Sequence, residues 1–264
     1  MSISKLNLKL PDERERLEIK VIANEARSNF NSRGITDIFE MLEEKAMLIR
    51  LPLDVYDLSG FSTYYDGEYV VVLNTSFTLG HERYTAAHEL YHLLYDQDIL
   101  KKEKVMLKDE KYELEDKRAD VFASEILMPE DYVKELFYKL VNVEKNKVEA
   151  RHIVRLNSKL KVSYKAMLKR LVQLDLCDIN LYDSLVHYGS LEMKEVLRDI
   201  TKTEGYDISL IVPSNSHYIS KEYLELVKNN YEQGVISYGK LEQLLEFINE
   251  TPHDYGYSRE PEAD

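Results

Sequence analysis

The stretch RYTAAHELYHLLYDQ, residues 83–97, sets two histidines four residues apart, with a glutamate directly after the first. On a helix, residues at that spacing lie one above the other, so His88 and His92 present their imidazoles on one side, at a separation one metal ion bridges. Glu89 falls about 100° round from His88. There it is placed to take a proton from a water held between the histidines, as a general base that is not itself a ligand. Ala86, Leu90, Leu93 and Leu94 give the helix an apolar side, and no residue in the stretch breaks it. The plainer alternative is a pair of histidines that merely share a helix face.

A zinc site with two histidines needs a third protein ligand and keeps one position open. The acidic candidates lie in ELEDKRADVFASEILMPED, residues 113–131, a helix ended by Pro129. Glu115 shares a face with Ala119, Phe122 and Ile126, which is a packing pattern. Asp116 stands four residues before Asp120, so a ligand can be followed one turn later by a carboxylate that accepts the N–H of a ligating histidine and fixes its tautomer. Asp116 is the favoured ligand, Glu115 the alternative, and Asp120 the supporting acid. The competing reading makes these acids a solvated face paired with Lys117 and Arg118.

Outward from these two helices the chain is mainly helical with one patch of sheet. Ile19, Ile22, Ala23, Ala26 and Phe30 repeat at helical spacing, NSRG (31–34) ends that helix, and a short second helix follows from about Thr36. AMLIRLPL (46–53), GFSTYY (60–65) and EYVVVLN (68–74) are short runs of β-formers, the last two joined by Asp66-Gly67 as a hairpin turn, which predicts a small antiparallel sheet. The 264 residues, 44% of them hydrophobic, suffice for real cores. No run approaches the length of a membrane span, and MSISKLNLKLPDERERLEIK (1–20) lacks the apolar core of a signal peptide, so the expected place is the cytoplasm. The single cysteine, Cys177, makes no internal disulfide and reads as a small core residue. A formal net charge of −13 argues against a protein that coats nucleic acid.

RYTAAHELYHLL followed by DKRADVFASEILMP resembles the ImmA/IrrE family of zinc metallopeptidases, with its pattern R-F-T-x-A-H-E-x-G-H and then E-x-x-A-[ND]-x-F-A-x-x-L-[LM]-P. Ala119, Asp120, Phe122, Ala123, Leu127, Met128 and Pro129 fall at the family's spacing, and GFSTYYDGEYVVVLN is similar to the hairpin before its active-site helix. The likeness covers about residues 35–135. It implies a mainly helical α+β fold whose core is a minimal zincin-like (HExxH, gluzincin-like) catalytic domain, with zinc (Zn2+) on His88, His92 and Asp116 and Glu89 as general base. It further implies a narrow protein substrate, commonly a helix-turn-helix repressor encoded alongside, on a mobile element or in a stress circuit. Two positions depart from the pattern. The family usually has glutamate where Asp116 stands, so the shorter side chain must bring its helix closer or yield to Glu115. Tyr91 replaces a frequent glycine.

The domain plan is N-terminal helices at 1–50, a metallopeptidase core at 51–140, a helix-turn-helix-like segment at 141–180, and a small C-terminal α/β module at 181–264. From Lys145 to Arg170 there are nine Lys and Arg against one acid, Glu149. Two helices joined at LKVS (160–163), with Ser163 as N-cap, could lie on DNA. The last module is read as a strand DISLIV (207–212), helices in SKEYLELVKNNYEQG (220–234) and YGKLEQLLEFINE (238–250), and a frayed tail SREPEAD (258–264). His81 reads as a surface or capping residue, and His152, His187, His217 and His253 as isolated. Tyr64, Tyr65, Tyr84 and Tyr95 are candidates to bind substrate or an oxyanion. The leading expectation is a zinc endopeptidase. Its rival is a non-proteolytic protein that keeps the fold and docks to a repressor or to DNA.

Overall fold

The computed structural model describes residues 11–55, 57–103, 105–106 and 113–259. Residues 260–264 of the predicted frayed tail therefore lie outside the described residues. Helix α1 (Glu13–Ser32) starts at Asp12, whose carboxylate accepts the Glu15 N–H at 2.8 Å. It buries Ile19, Ala23, Ala26 and Phe30, a stripe at helical spacing, and stops before Gly34, whose φ of 80° suits glycine alone. Asp37 caps α2 (Ile38–Glu43).

Strands β1 (Met47–Leu51), β2 (Gly60–Tyr65) and β3 (Glu68–Asn74) follow. Asp66 and Gly67 both have positive φ, 50° and 95°, as the two-residue turn of a right-twisted hairpin requires. The sheet is mixed, a correction to the antiparallel one predicted: β3 lies between β2 and β1 and runs parallel to β1, with Leu48 opposite Val71. Alternating hydrophobicity marks strands but not their order, and β3 takes the place between β1 and β2. Short strands β4 (Val105–Met106) and β5 (Tyr218–Ile219) complete the order β4-β2-β3-β1-β5.

One face of this sheet, with Leu48, Ser62, Val71 and Leu73 fully buried, supports helix α3 (Leu79–Tyr95). After α4 (Gln97–Glu103) comes α5 (Glu113–Leu127), antiparallel to α3 and packed along it. Ala86, Ala87, Ala119 and Ala123 are fully buried in these two helices. Such small side chains let the helix axes approach closely. Tyr91 packs its ring on Phe122 at 5.5 Å, so the departure from glycine is absorbed by packing.

Pro129 ends α5 as predicted and starts α6 (Glu130–Leu140). Helices α7 (Ala150–Leu160) and α8 (Tyr164–Gln173) meet at the predicted turn: Lys161 is left-handed at φ 54°, and Ser163 Oγ accepts the Ala166 N–H at 3.1 Å. With α9 (Tyr182–Val186) and α10 (Lys194–Thr203) they enclose a second apolar cluster from Met128 to Leu197, which includes buried Cys177. DISLIV is not a strand. Asp207 accepts the Ser209 N–H at 2.7 Å and turns the chain into a short 3-10 helix at Ser209–Ile211, since such local side-chain bonds compete with a ladder. The strand of this region is β5, which extends the main sheet beside β1. Helices α11 (Lys221–Glu232) and α12 (Tyr238–Glu246) share a small core of Val227, Leu241 and Leu245. Among the described residues no helix is long and apolar enough to cross a membrane.

Candidate metal centre

The antiparallel run of α3 and α5 brings His88 and His92 against Asp116, with one ligand-type atom from each lying within 4.8 Å of the others. His88 Nε2 and His92 Nε2 are 3.2 Å apart, and Asp116 Oδ1 lies 3.8 and 3.7 Å from them. A tetrahedral ion with bonds of about 2.0–2.1 Å needs ligand atoms roughly 3.3 Å apart. The triangle fits that spacing with small adjustment at Asp116. The close helix pair supplies the reach that an aspartate, one methylene shorter than glutamate, requires.

The other ring nitrogens are held by acids. Asp120 Oδ1 lies 3.1 Å from His88 Nδ1, and Asp96 Oδ2 lies 2.7 Å from His92 Nδ1. A carboxylate only accepts, so each Nδ1 donates and the neutral rings turn bare Nε2 lone pairs toward Asp116. With both rings neutral, three electron-pair donors converge, which calls for a cation: a metal ion, or in its absence a proton on His88. The titration of His88 agrees. Burial alone lowers its pKa, but the hydrogen bonds of Asp116 and Asp120 and the charges of Glu89 and Asp120 outweigh burial and raise it to about 10.

Asp120 sits where the sequence placed a supporting acid. Asp96 was not singled out, although its place four residues after His92 is the same spacing signal. Glu115 is outside the group and lies instead near Tyr91 and Arg118, on whose titration its charge acts. The bases expected to neutralise this face pair elsewhere, Lys117 with Glu113 and Arg118 with Glu15, each at 2.6 Å.

Glu89 is 5% exposed, and its Oε2 accepts a hydrogen bond from Ser62 Oγ at 2.6 Å. Ser62 is fully buried on β2. The sequence gives no sign of this contact beyond a polar residue at an inward strand position.

His88, Glu89, His92, Asp116 and Asp120 line one cleft of about 1040 Å³, walled by α1, the start of β2, α3, α5 and α8. Of the four tyrosines considered, Tyr84 alone lines it, and its hydroxyl donates to the Asp120 carbonyl at 2.8 Å. Tyr65 is 75% exposed, and Tyr64 and Tyr95 pack on neighbouring rings. His81, predicted as a surface or capping residue, is half-buried in the cleft wall, with Nε2 2.9 Å from Ser59 Oγ. Burial, then the charge of Lys165, lowers its pKa. His152 accepts the Glu149 N–H in the N-cap of α7, and neither it nor His187, His217 or His253 joins the metal group.

Buried charge pairs fix the frame. Glu82 accepts from Arg50 at 2.6 Å and from Ser214 at 2.8 Å; Arg83 bonds Asp37 at 2.8 Å and the Lys161 carbonyl at 3.0 Å. Arg170 joins α8 to α5 through Glu125 at 2.8 Å and the Met128 carbonyl at 3.0 Å. In the basic stretch, Lys145, Lys147, Arg151, Arg155 and Arg170 all pair with acids of the same chain.

No curated protein gives a significant match to the chain. Residues 42–172 match the family model of Peptidase_M78, the IrrE N-terminal-like domain. That span runs from the end of α2 to the last turn of α8 and takes in the sheet's first three strands, both histidines, Glu89 and Asp116. Residues 42–172 are thus an IrrE N-terminal-like domain of the Peptidase_M78 family.

Proposed function

We propose that the protein is a zinc-dependent endopeptidase that cuts one specific protein substrate, a helix-turn-helix transcriptional repressor of a mobile element or stress circuit, in the cytoplasm where such a repressor acts. The observation that carries this reading is the convergence of three lone-pair donors beside a buried carboxylate, within a cleft of about 1040 Å³. His88, His92 and Asp116 would hold the ion, since two imidazoles and one carboxylate suit zinc better than magnesium or calcium. Bound there, zinc supplies Lewis acidity for a peptide carbonyl.

The chain's own groups do the rest. Asp120 and Asp96 hold the two imidazoles in the tautomer that turns Nε2 inward. Ser62 occupies one oxygen of Glu89 and leaves the other for the attacking water, whose proton Glu89 takes and returns to the departing amine. The cleft walls orient the peptide and exclude bulk water.

Co-expression with the repressor encoded alongside tests the reading. Wild type should convert the repressor to two fragments, and Glu89→Gln, which leaves all three proposed ligands in place, should leave it intact while retaining zinc. Derepression by Glu89→Gln equal to wild type, with uncut repressor on a gel, would contradict proteolysis and point to docking.

A further inference from the structure

The cleft has one wall of a different electrostatic character. Helix α8 crosses the end of the α3–α5 pair and is anchored at both ends. At its start, Gly80 of α3 meets the turn so closely that an added Cβ would lie 2.7 Å from Ser163 N. Further on, buried Arg170 holds Glu125 and the Met128 carbonyl of α5. Those anchors orient α8 so that Lys165 and Lys169, one turn apart, both line the cleft. Other cleft cations are spoken for: Lys20 pairs with Glu130 at 2.6 Å, Lys117 with Glu113 and Arg170 with Glu125. Neither Lys165 nor Lys169 has an acid within ion-pair distance among the described residues. Exposed Arg16, on the α1 rim, is alike in this but stands alone. Two like charges one helical turn apart repel, and an anionic guest relieves that repulsion.

The position along the cleft follows from α3. Gly80, next to His81, packs against Ser163 two residues before Lys165, and His81 and Lys165 both line the cleft, which sets the lysine at the His81 end of α3. His81 precedes His88 by seven residues, about 10.5 Å along a helix. Extended peptide covers that length in about three residues.

Resting on the peptidase reading, we propose that Lys165 and Lys169 form a selectivity subsite that takes an aspartate or glutamate side chain of the peptide substrate, about three residues from the bond cut. Both lysines line the cleft that holds the metal centre, and most bases around them are already neutralised, so a peptide carboxylate fits the pair better than the many phosphates of a duplex.

The test uses the zinc-loaded full chain on a random peptide library, with cleavage products sequenced for wild type, Lys165→Glu/Lys169→Glu and the neutral Lys165→Gln/Lys169→Gln. Wild type should enrich acidic residues at one fixed position about three from the cut. The neutral variant should lose about tenfold of that preference and the reversed variant should prefer Lys or Arg there, the size expected for one charge-assisted contact. Zinc content and the far-ultraviolet spectrum, read on all three, should be unchanged. The same profile in all three proteins would overturn the subsite while leaving the peptidase intact. No cleavage by wild type would remove the peptidase reading and the subsite with it. Duplex DNA binding abolished by both double variants, with peptide preference unaltered, would assign the lysines to nucleic acid and overturn the proposal.

Discussion

At the residue scale the site is a set of pairs: each imidazole has an acid behind it, and Glu89 has a hydroxyl behind it. The His88 pKa, raised from 6.5 to about 10 by the surrounding carboxylates against the effect of burial, makes the metal-free protein pH-dependent in a definite direction. Because the folded value lies above the unfolded one, the stabilisation is fully present below about pH 6.5 and fades as pH rises toward 10. Metal-free protein should lose denaturant resistance across that window, whereas zinc-loaded protein should not, and zinc binding at pH 7 should release about one proton from His88, read by calorimetry in buffers of different ionisation enthalpy. A metal-free midpoint that rises with pH would contradict the charge arrangement. With Glu89 as the proposed base, Ser62→Ala should lower kcat about tenfold with KM and zinc content unchanged, one hydrogen bond to that carboxylate being lost; unaltered kcat would show that Glu89 needs no such support. That His88 goes with His92 and Asp116 with Asp120 is legible in the sequence because four-residue spacing converts directly into a shared helix face. The Ser62 contact is not, because its partner is 27 residues away and meets it only when the sheet packs under α3.

At the element scale, the close fits are what sequence patterns describe least. Helices α3, α5, α7 and α8 announce themselves by period and caps, and the α7–α8 turn falls where Ser163 predicts. How α8 lies on α3 depends on the missing side chain of Gly80, a single residue whose absence of bulk carries no periodic signal. Gly80→Ala would drive a methyl against backbone that cannot rotate away, at a cost of about 1–3 kcal/mol. Its thermal midpoint should fall by several degrees, and any activity should fall with it as the α8 wall shifts. An unchanged melting curve would mean the turn does not rest on α3. The strand misread at 207–212 has a similar origin: its β-formers promise a ladder, but Asp207 closes a local turn first, and β5 forms a few residues later where β1 offers a free edge.

For the whole molecule, the fold gathers segments far apart in sequence around one cleft: α1, β2, α3, α5 and α8, tied by the buried pairs Arg50–Glu82, Arg83–Asp37 and Arg170–Glu125. The apolar clusters of 19–126 and 128–197 meet at Tyr84 and Leu127, and α8 of the helix-turn-helix-like segment forms one wall of the cleft. The proposed chemistry depends on this assembly producing one metal centre from α3 and α5. Anomalous diffraction at the zinc edge, from crystals of the zinc-loaded full chain, tests that most directly. One strong peak per chain is expected, about 2.0–2.2 Å from His88 Nε2, His92 Nε2 and an Asp116 carboxylate oxygen, lost in His88→Ala. A peak coordinated by Glu115, or one that persists in His88→Ala, would contradict it.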